Sequence, residues 1–210
     1  MSKTIHTAQQ YWDVRSDLFA NYYKKPSMFD KMFRKAVYTR TAVMLNTIKE
    51  CGKCTVLDIG SGPGVNSVTW LKNSDASFLM GIDFAENMNE YARKNAAAEG
   101  VGDRCKFVAG DFLTYDFKGE KFDVACAAGV TDYVKDIEAL VKKMDAVTNK
   151  AFVASWPIGG LRMALRRYRY TCPVFQYNEA DVRRIHEGCN IKSLDIIPMQ
   201  GGLMSVARKY

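Results

Sequence analysis

From residue 54 onward, apolar runs of strand length alternate with amphipathic runs of helix length: 54–59 then 66–72, 77–83 then 85–100, 105–111, 121–128 then 136–147, and 151–156. Strands separated by helix-length crossovers pair in parallel through right-handed βαβ units, and the helices cover both faces of the sheet. This pattern predicts an α/β three-layer sandwich. Two last runs, 191–199 and 203–210, are separated only by Gln200-Gly201-Gly202, which reads as a hairpin turn and places an antiparallel pair at one sheet edge.

Ahead of the first strand, residues 7–51 are rich in aromatic and helix-forming residues. The spacing of Met28, Met32, Ala36, Val37, Val43, Leu45 and Ile48 predicts two or three amphipathic helices, an N-terminal helical cap. After 151–156 a basic segment, 158–171, leads into a helix predicted over 178–188, with Asn178 as its N-cap and Gly188 ending it. No internal repeat, low-complexity tract or Pro/Ser-rich linker interrupts this order. The chain therefore reads as one domain over 1–210, with 1–51 as the cap and 52–210 as a ligand-binding core.

Composition narrows the class. At 210 residues, 48% hydrophobic and 25% charged, the chain has enough apolar content for one full core and none of the bias of a disordered protein. Lys3, His6, Asp13, Arg15 and Asp17 break up the first twenty residues, and no later apolar run is long enough to span a bilayer, so a cytoplasmic location is expected. The six cysteines are scattered and read as reduced thiols. Cys51-Gly-Lys-Cys54 has half-site spacing for zinc, yet the second pair of ligands is missing, so no metal is assigned. The net charge of +7 is compatible with an anionic partner, and it is densest between Arg162 and Arg169.

The first predicted strand empties into a loop, Thr55-Val-Leu-Asp-Ile-Gly-Ser-Gly-Pro-Gly64, with three alternating glycines. In an open parallel sheet the first strand-to-helix turn is the usual ligand contact, and glycine there permits positive φ and close backbone approach. The spacing fits neither the Gly-x-Gly-x-x-Gly of dinucleotide sites nor a phosphate loop ending in Gly-Lys-Ser/Thr. Downstream, Asp83 stands 25 residues after Asp58 at the end of the second strand run, and the third ends in Val108-Ala-Gly-Asp-Phe112. The glycine loop, with Val56-Leu57-Asp58-Ile59 before it and Pro63 within it, resembles the first motif of the class I S-adenosylmethionine-dependent methyltransferases.

The resemblance covers about residues 54–155 and implies a mostly parallel, seven-stranded sheet with the antiparallel C-terminal hairpin. It implies S-adenosylmethionine as cofactor. By that analogy Asp58 and the loop of Gly60, Ser61, Gly62 and Gly64 hold the methionine portion, and Asp83 takes the ribose hydroxyls. Phe84 offers the adenine an apolar face, with Met88 one turn into the next helix. Gly110, Asp111 and Phe112 meet the adenine edge, and Ala127, at the end of the fourth strand, lies close to the methyl group. The run 122–133 lacks the Asp/Asn-Pro-Pro-Tyr expected of amino-directed nucleic-acid base methyltransferases.

The acceptor is less legible. A sulfonium methyl is strongly electrophilic, so aligning the nucleophile and excluding water come first and a dedicated base is optional. Asp132 and Tyr133 are placed for proton handling, although Asp132 reads equally well as the cap of the next helix with Tyr133 packed on it. Tyr11, Trp12, Tyr22 and Tyr23 in the cap, with Trp156, Arg162 and Arg166 beyond the fifth strand, form a candidate acceptor wall suited to acidic or planar groups. The expected activity is methyl transfer to an oxygen or nitrogen of a small acidic or aromatic metabolite. An RNA or protein acceptor is the second reading, and a noncatalytic cofactor-binding partner subunit the third. Oligomeric state is left open.

Overall fold

The computed structural model describes residues 7, 11, 35–160, 163, 164, 168 and 171–210. Helix α1 (Lys35–Glu50) precedes β1 (Thr55–Ile59), α2 (Val65–Asn73), β2 (Phe78–Asp83), α3 (Glu86–Ala98), β3 (Cys105–Ala109) and β4 (Phe122–Ala127). Then follow α4 (Ile137–Ala146), β5 (Thr148–Pro157), α5 (Glu179–Ile185), β6 (Ser193–Met199) and β7 (Gly202–Arg208). The seven strands form one sheet in the order β3-β2-β1-β4-β5-β7-β6. β1 to β5 pair in parallel, whereas β7 runs antiparallel to both β5 and β6. The hairpin thus stands as an antiparallel pair at one edge of the sheet, as expected: its second strand joins β5, and its first becomes the edge, parallel to β1–β5.

Two apolar layers cover the sheet. On one face Leu57, Ile59, Phe122, Ala125, Phe152, Ala154 and Trp156 pack with Leu140, Val141 and Met144 of α4 and Val182 and Ile185 of α5. On the other Val56, Leu79, Val124, Cys126 and Val153 pack under Met44 and Ile48 of α1, Trp70 and Leu71 of α2, and Ala92 and Ala96 of α3. Side chains alternate along each strand, so Asp58 falls on the same face as Val56, beneath α2. In β6 exposed and half-buried positions alternate from Ser193 to Ile197, as expected of an edge strand with one wet face.

Several local features differ from the sequence expectations. Helix α4 is capped by Asp136, whose side chain accepts from Ala139 N, and not by Asp132. Helix α5 is shorter than predicted; Asn178 caps it reciprocally with Asp181, and Gly188 (φ 80°) lies beyond the helix end. In agreement with the sequence reading, the β3–β4 connection contains no helix; Lys143 of α4 donates to Leu113 O (3.0 Å) and Tyr115 O (2.7 Å) and fixes its path. Of the predicted cap helices only α1 and a helical Tyr11 fall within the described residues; Met28 and Met32 lie outside them. Among the described residues no helix is long and apolar enough to cross a membrane.

Candidate functional site

Strand order runs outward in one direction from β1 to β3 and in the other from β4, so the switch point lies between β1 and β4, where ligands of open α/β sheets bind. Register makes the strand ends level: Ile59 pairs with Ile82 on β2 and with Ala127 on β4. The loop leaving β1 bends back at once, with Gly60 N and Ser61 N both donating to Ile82 O (2.8 and 3.2 Å). Gly60 has φ 66°, and a Cβ there would stand 2.5 Å from Val130 Cγ2. A Cβ on Gly64 would meet Ala92 of α3 at 2.8 Å. The first glycine lets the β1 and β4 loops touch, and the last lets α3 pack against the start of α2.

Asp83 ends β2, and its carboxylate clamps the loop. Oδ2 accepts from Gly62 N and Oδ1 from Ala85 N, each at 2.9 Å. It is half-buried. Asn89, fully buried in α3, donates to Asp83 O (3.0 Å) and Ala85 O (3.2 Å) and locks the turn that carries the acid. Asp58 is buried below the loop and accepts from Ser67 Oγ at 2.5 Å. Burial lifts its carboxyl to about 7, with the Ser67 bond opposing and the Asp83 charge adding to the rise.

The third strand end joins the same group, since Gly110 N donates to Asp83 O at 3.0 Å. Asp111 is exposed, and its Oδ1 accepts from Leu113 N (2.9 Å), which holds the carboxylate in a tight turn. Phe112 is buried in the core, its ring 5.8 Å from that of Phe117 and beneath the Lys143 ammonium. Phe84 is half-buried, Met88 buried in α3, and Ala127 fully buried at the end of β4. Ser61 is also buried, its hydroxyl turned inward toward Gly81.

Beyond β4 the loop is tied to β5. Gly129 N donates to Ser155 Oγ (2.8 Å), and Thr131 Oγ1 donates to Ser155 O (2.6 Å). Asp132 is buried, its carbonyl accepting from Phe175 N (2.8 Å), and Tyr133 is half-buried with its N–H on Val130 O (2.9 Å). Tyr177 donates to Thr131 O at 3.3 Å. Burial, helped by the charges of Asp132 and Asp181, pushes its hydroxyl up to about 12, so it stays a neutral donor.

Of the proposed acceptor wall, Trp156 lies fully buried, its Nε1 donating to Ser205 Oγ (2.8 Å) and its ring edge-on to Tyr177. Tyr11 is buried as well. Trp12, Tyr22, Tyr23, Arg162 and Arg166 lie outside the described residues. His186 packs inside the core, Nδ1 donating to Val182 O (2.7 Å) and the ring stacked on Phe152. Ser67, Asn89, Ser155 and Lys143 organise the site without having been singled out in the sequence. The first two carry a readable signal, a polar residue on the buried stripe of a helix.

Residues 56–151 match the family model described as a methyltransferase domain. Over these 96 of its 210 residues the chain resembles the class I S-adenosylmethionine-dependent methyltransferases. The chain is 30% identical over 134 residues, 59% of its length and 54% of the relative's, to carboxy-S-adenosyl-L-methionine synthase of Nautilia profundicola. It is 27% identical over 147 residues, 70% of its length and 51% of the relative's, to the ubiquinone/menaquinone biosynthesis C-methyltransferase of Roseobacter denitrificans. The chain spans about half the length of each of these two relatives. In fold it is similar to magnesium protoporphyrin IX methyltransferase of Synechocystis PCC 6803, solved with bound SAH, with TM-score 0.78, 16% identity and coverage of 96% and 97% of the two chains.

Proposed function

We propose that the chain transfers the methyl group of S-adenosylmethionine to an oxygen or nitrogen nucleophile of a small acidic or aromatic metabolite. One observation carries the cofactor half: the Asp83 carboxylate, at the end of β2, is oriented by two backbone N–H groups, one of them from the glycine loop, which places an acid where a vicinal diol would be recognised. When bound, the cofactor supplies an electrophilic methyl group, so the protein need only align an acceptor and keep water away.

In this reading Asp83 accepts from the ribose hydroxyls, and Asp111, presented by its tight turn, accepts from the adenine amino group while Gly110 and Phe112 line the ring edge through their backbone. Phe84 and Met88 give the adenine an apolar seat. The backbone of Gly60, Ser61 and Gly62 borders the methionine portion, with Asp58 beneath it as a buried counter-charge. Gly64 acts through packing on α3. Ala127 and the loop after β4, tied to β5 through Ser155, border the methyl group, and Asp132, its carbonyl held by Phe175 N, and Tyr133, its N–H on Val130 O, stand ready to take a proton from an acidic acceptor.

Small-molecule acceptors are supported by the relatives' own names, which include a quinone and a porphyrin methyltransferase. The quinone relative is named as a C-methyltransferase, so a carbon nucleophile is the second reading. The test is incubation with methyl-labelled S-adenosylmethionine and a cell extract, followed by mass spectrometry of separated metabolite, RNA and protein fractions. Label in a metabolite, on oxygen or nitrogen, is expected. Label confined to RNA or protein overturns the acceptor class, and cofactor binding without any labelled product overturns catalysis in favour of a partner-subunit role.

A further inference from the structure

The segment that leads into α5 is strapped over the loop after β4. Phe175 N donates to Asp132 O (2.8 Å), Tyr177 N to Pro157 O (2.9 Å), and the Tyr177 hydroxyl to Thr131 O (3.3 Å). Tyr177 thus bridges the ends of β4 and β5, its ring edge-on to Trp156 at 5.2 Å. Between it, the end of β5 and the start of α5 lies a cavity of about 350 Å³, with Ile158, Gln176, Tyr177, Asn178, Asp181 and Leu203 in its walls. The Gln176 amide rests against Gly159, where a Cβ would stand 3.4 Å from Nε2 and 3.5 Å from Oε1, so a side chain at 159 would push the amide out of this place.

The walls combine two kinds of chemistry. Ile158, Leu203 and the Tyr177 ring offer apolar surface to a flat group, while Gln176 and Asn178 bring primary amides and Glu179 and Asp181 carboxylates. Among the described residues no lysine or arginine lines the cavity. Glu179 is matched by Arg183, its Oε1 accepting from Nε (3.1 Å) and Nη2 (2.7 Å). Asp181 accepts the Asn178 N–H at Oδ2 (2.9 Å), a neutral donor that leaves its charge uncancelled. The Tyr177 hydroxyl stands in the resulting field: burial, then the charges of Asp132 and Asp181, push it up to about 12. A negative field beside apolar walls repels carboxylates and phosphates and attracts an ammonium group, which can also lie over the face of a tyrosine ring.

We infer that this cavity seats the methyl acceptor, and that the acceptor is an aromatic compound with a basic amino group, its ring between Ile158, Leu203 and Tyr177 and its amino group toward Asp181. The inference rests on the methyl-transfer reading above and narrows it, from acidic or aromatic metabolites to cationic aromatic ones. The amino group is the handle by which the molecule is held, whichever of its atoms takes the methyl group.

The test is calorimetric titration of the full chain, saturated with S-adenosylhomocysteine, with two probes of similar shape and opposite charge, benzylamine and benzoate. Wild type should bind benzylamine at least about 10-fold more tightly than benzoate. Asp181→Asn, which keeps an oxygen for the Asn178 N–H, should remove most of that preference. Ile158→Trp, which fills the cavity, should abolish benzylamine binding and leave S-adenosylhomocysteine affinity unchanged. Wild type that binds benzoate as tightly as benzylamine, or binds neither, overturns the inference without recourse to any variant. Either variant binding benzylamine as wild type does overturns it too. If Ile158→Trp still labels a metabolite from methyl-labelled S-adenosylmethionine at the wild-type rate, the cavity assignment falls and the methyl-transfer reading stands. Wild type that does not bind S-adenosylhomocysteine overturns that reading, and the inference with it.

Discussion

Asp83→Ala separates the structural from the ligand-binding work of one carboxylate. In the fold its two oxygens each accept a backbone N–H at 2.9 Å, one from Gly62 in the glycine loop and one from Ala85 at the start of α3. A charged acceptor contributes about 1.5–3 kcal/mol per bond when desolvated. Because Asp83 is half-buried, water can replace part of this, and a loss of about 2 kcal/mol in stability is expected. For a chain of this size that lowers Tm by about 4–8 °C and leaves the protein folded at room temperature. Two lost bonds to the ribose hydroxyls amount to about 3–6 kcal/mol, which is about 100- to 10,000-fold in the dissociation constant for S-adenosylhomocysteine. Thermal melting followed by isothermal titration calorimetry reads both quantities on one preparation. A variant that melts within ten degrees of wild type, yet binds the probe within about threefold of it, would refute the assignment of the ribose site.

Three further perturbations follow from the same geometry. Gly60→Ala places a Cβ 2.5 Å from Val130 Cγ2 at φ 66°, and a urea titration should show a loss of about 1–3 kcal/mol that Val130→Ala relieves only in its steric part. Because burial lifts Asp58 to about 7 and its ionised form favours a cationic ligand, affinity for S-adenosylmethionine should rise with pH up to and through 7; Asp58→Asn should flatten that profile, and an unchanged slope would count against it. Burial lowers the pKa of His186, so the unfolded chain takes up its proton first: stability from this group is complete above its ordinary pKa near 6.5 and is lost as pH falls below it. The urea midpoint of wild type should therefore drop more between pH 7.5 and 5 than that of His186→Phe, and parallel drops would exclude this role.

The sheet was legible because parallel strands buried on both faces must be continuous apolar runs, and 54–59, 77–83 and 121–128 are such runs bounded by helical periodicity. The glycine loop and the spacing to Asp83 and Asp111 were readable for a related reason, since each sits at a strand end and strand ends can be counted along a chain. What could not be counted was lateral order. A hairpin with the same pattern can offer either strand to the sheet, and the choice of β7 as the inner one rests on its buried pattern meeting β5 in space. Asp132 and Asp136 both precede α4, and only the backbone path decides which oxygen reaches Ala139 N. Trp156 was grouped with the basic segment beside it, although the alternation Phe152, Ala154, Trp156 already placed it on one inner face of β5.

The place of β7 between β5 and β6 also sets a timetable for synthesis. Residues 202–208 are made after every other strand, yet they fill an interior slot. Until they leave the ribosome, β5 stands as an unpaired, largely apolar edge and β6 has no sheet to join. From the completion of β5 to that of β7 the nascent protein therefore carries a sticky strand edge, and the sheet closes between β5 and β6 only when β7 arrives.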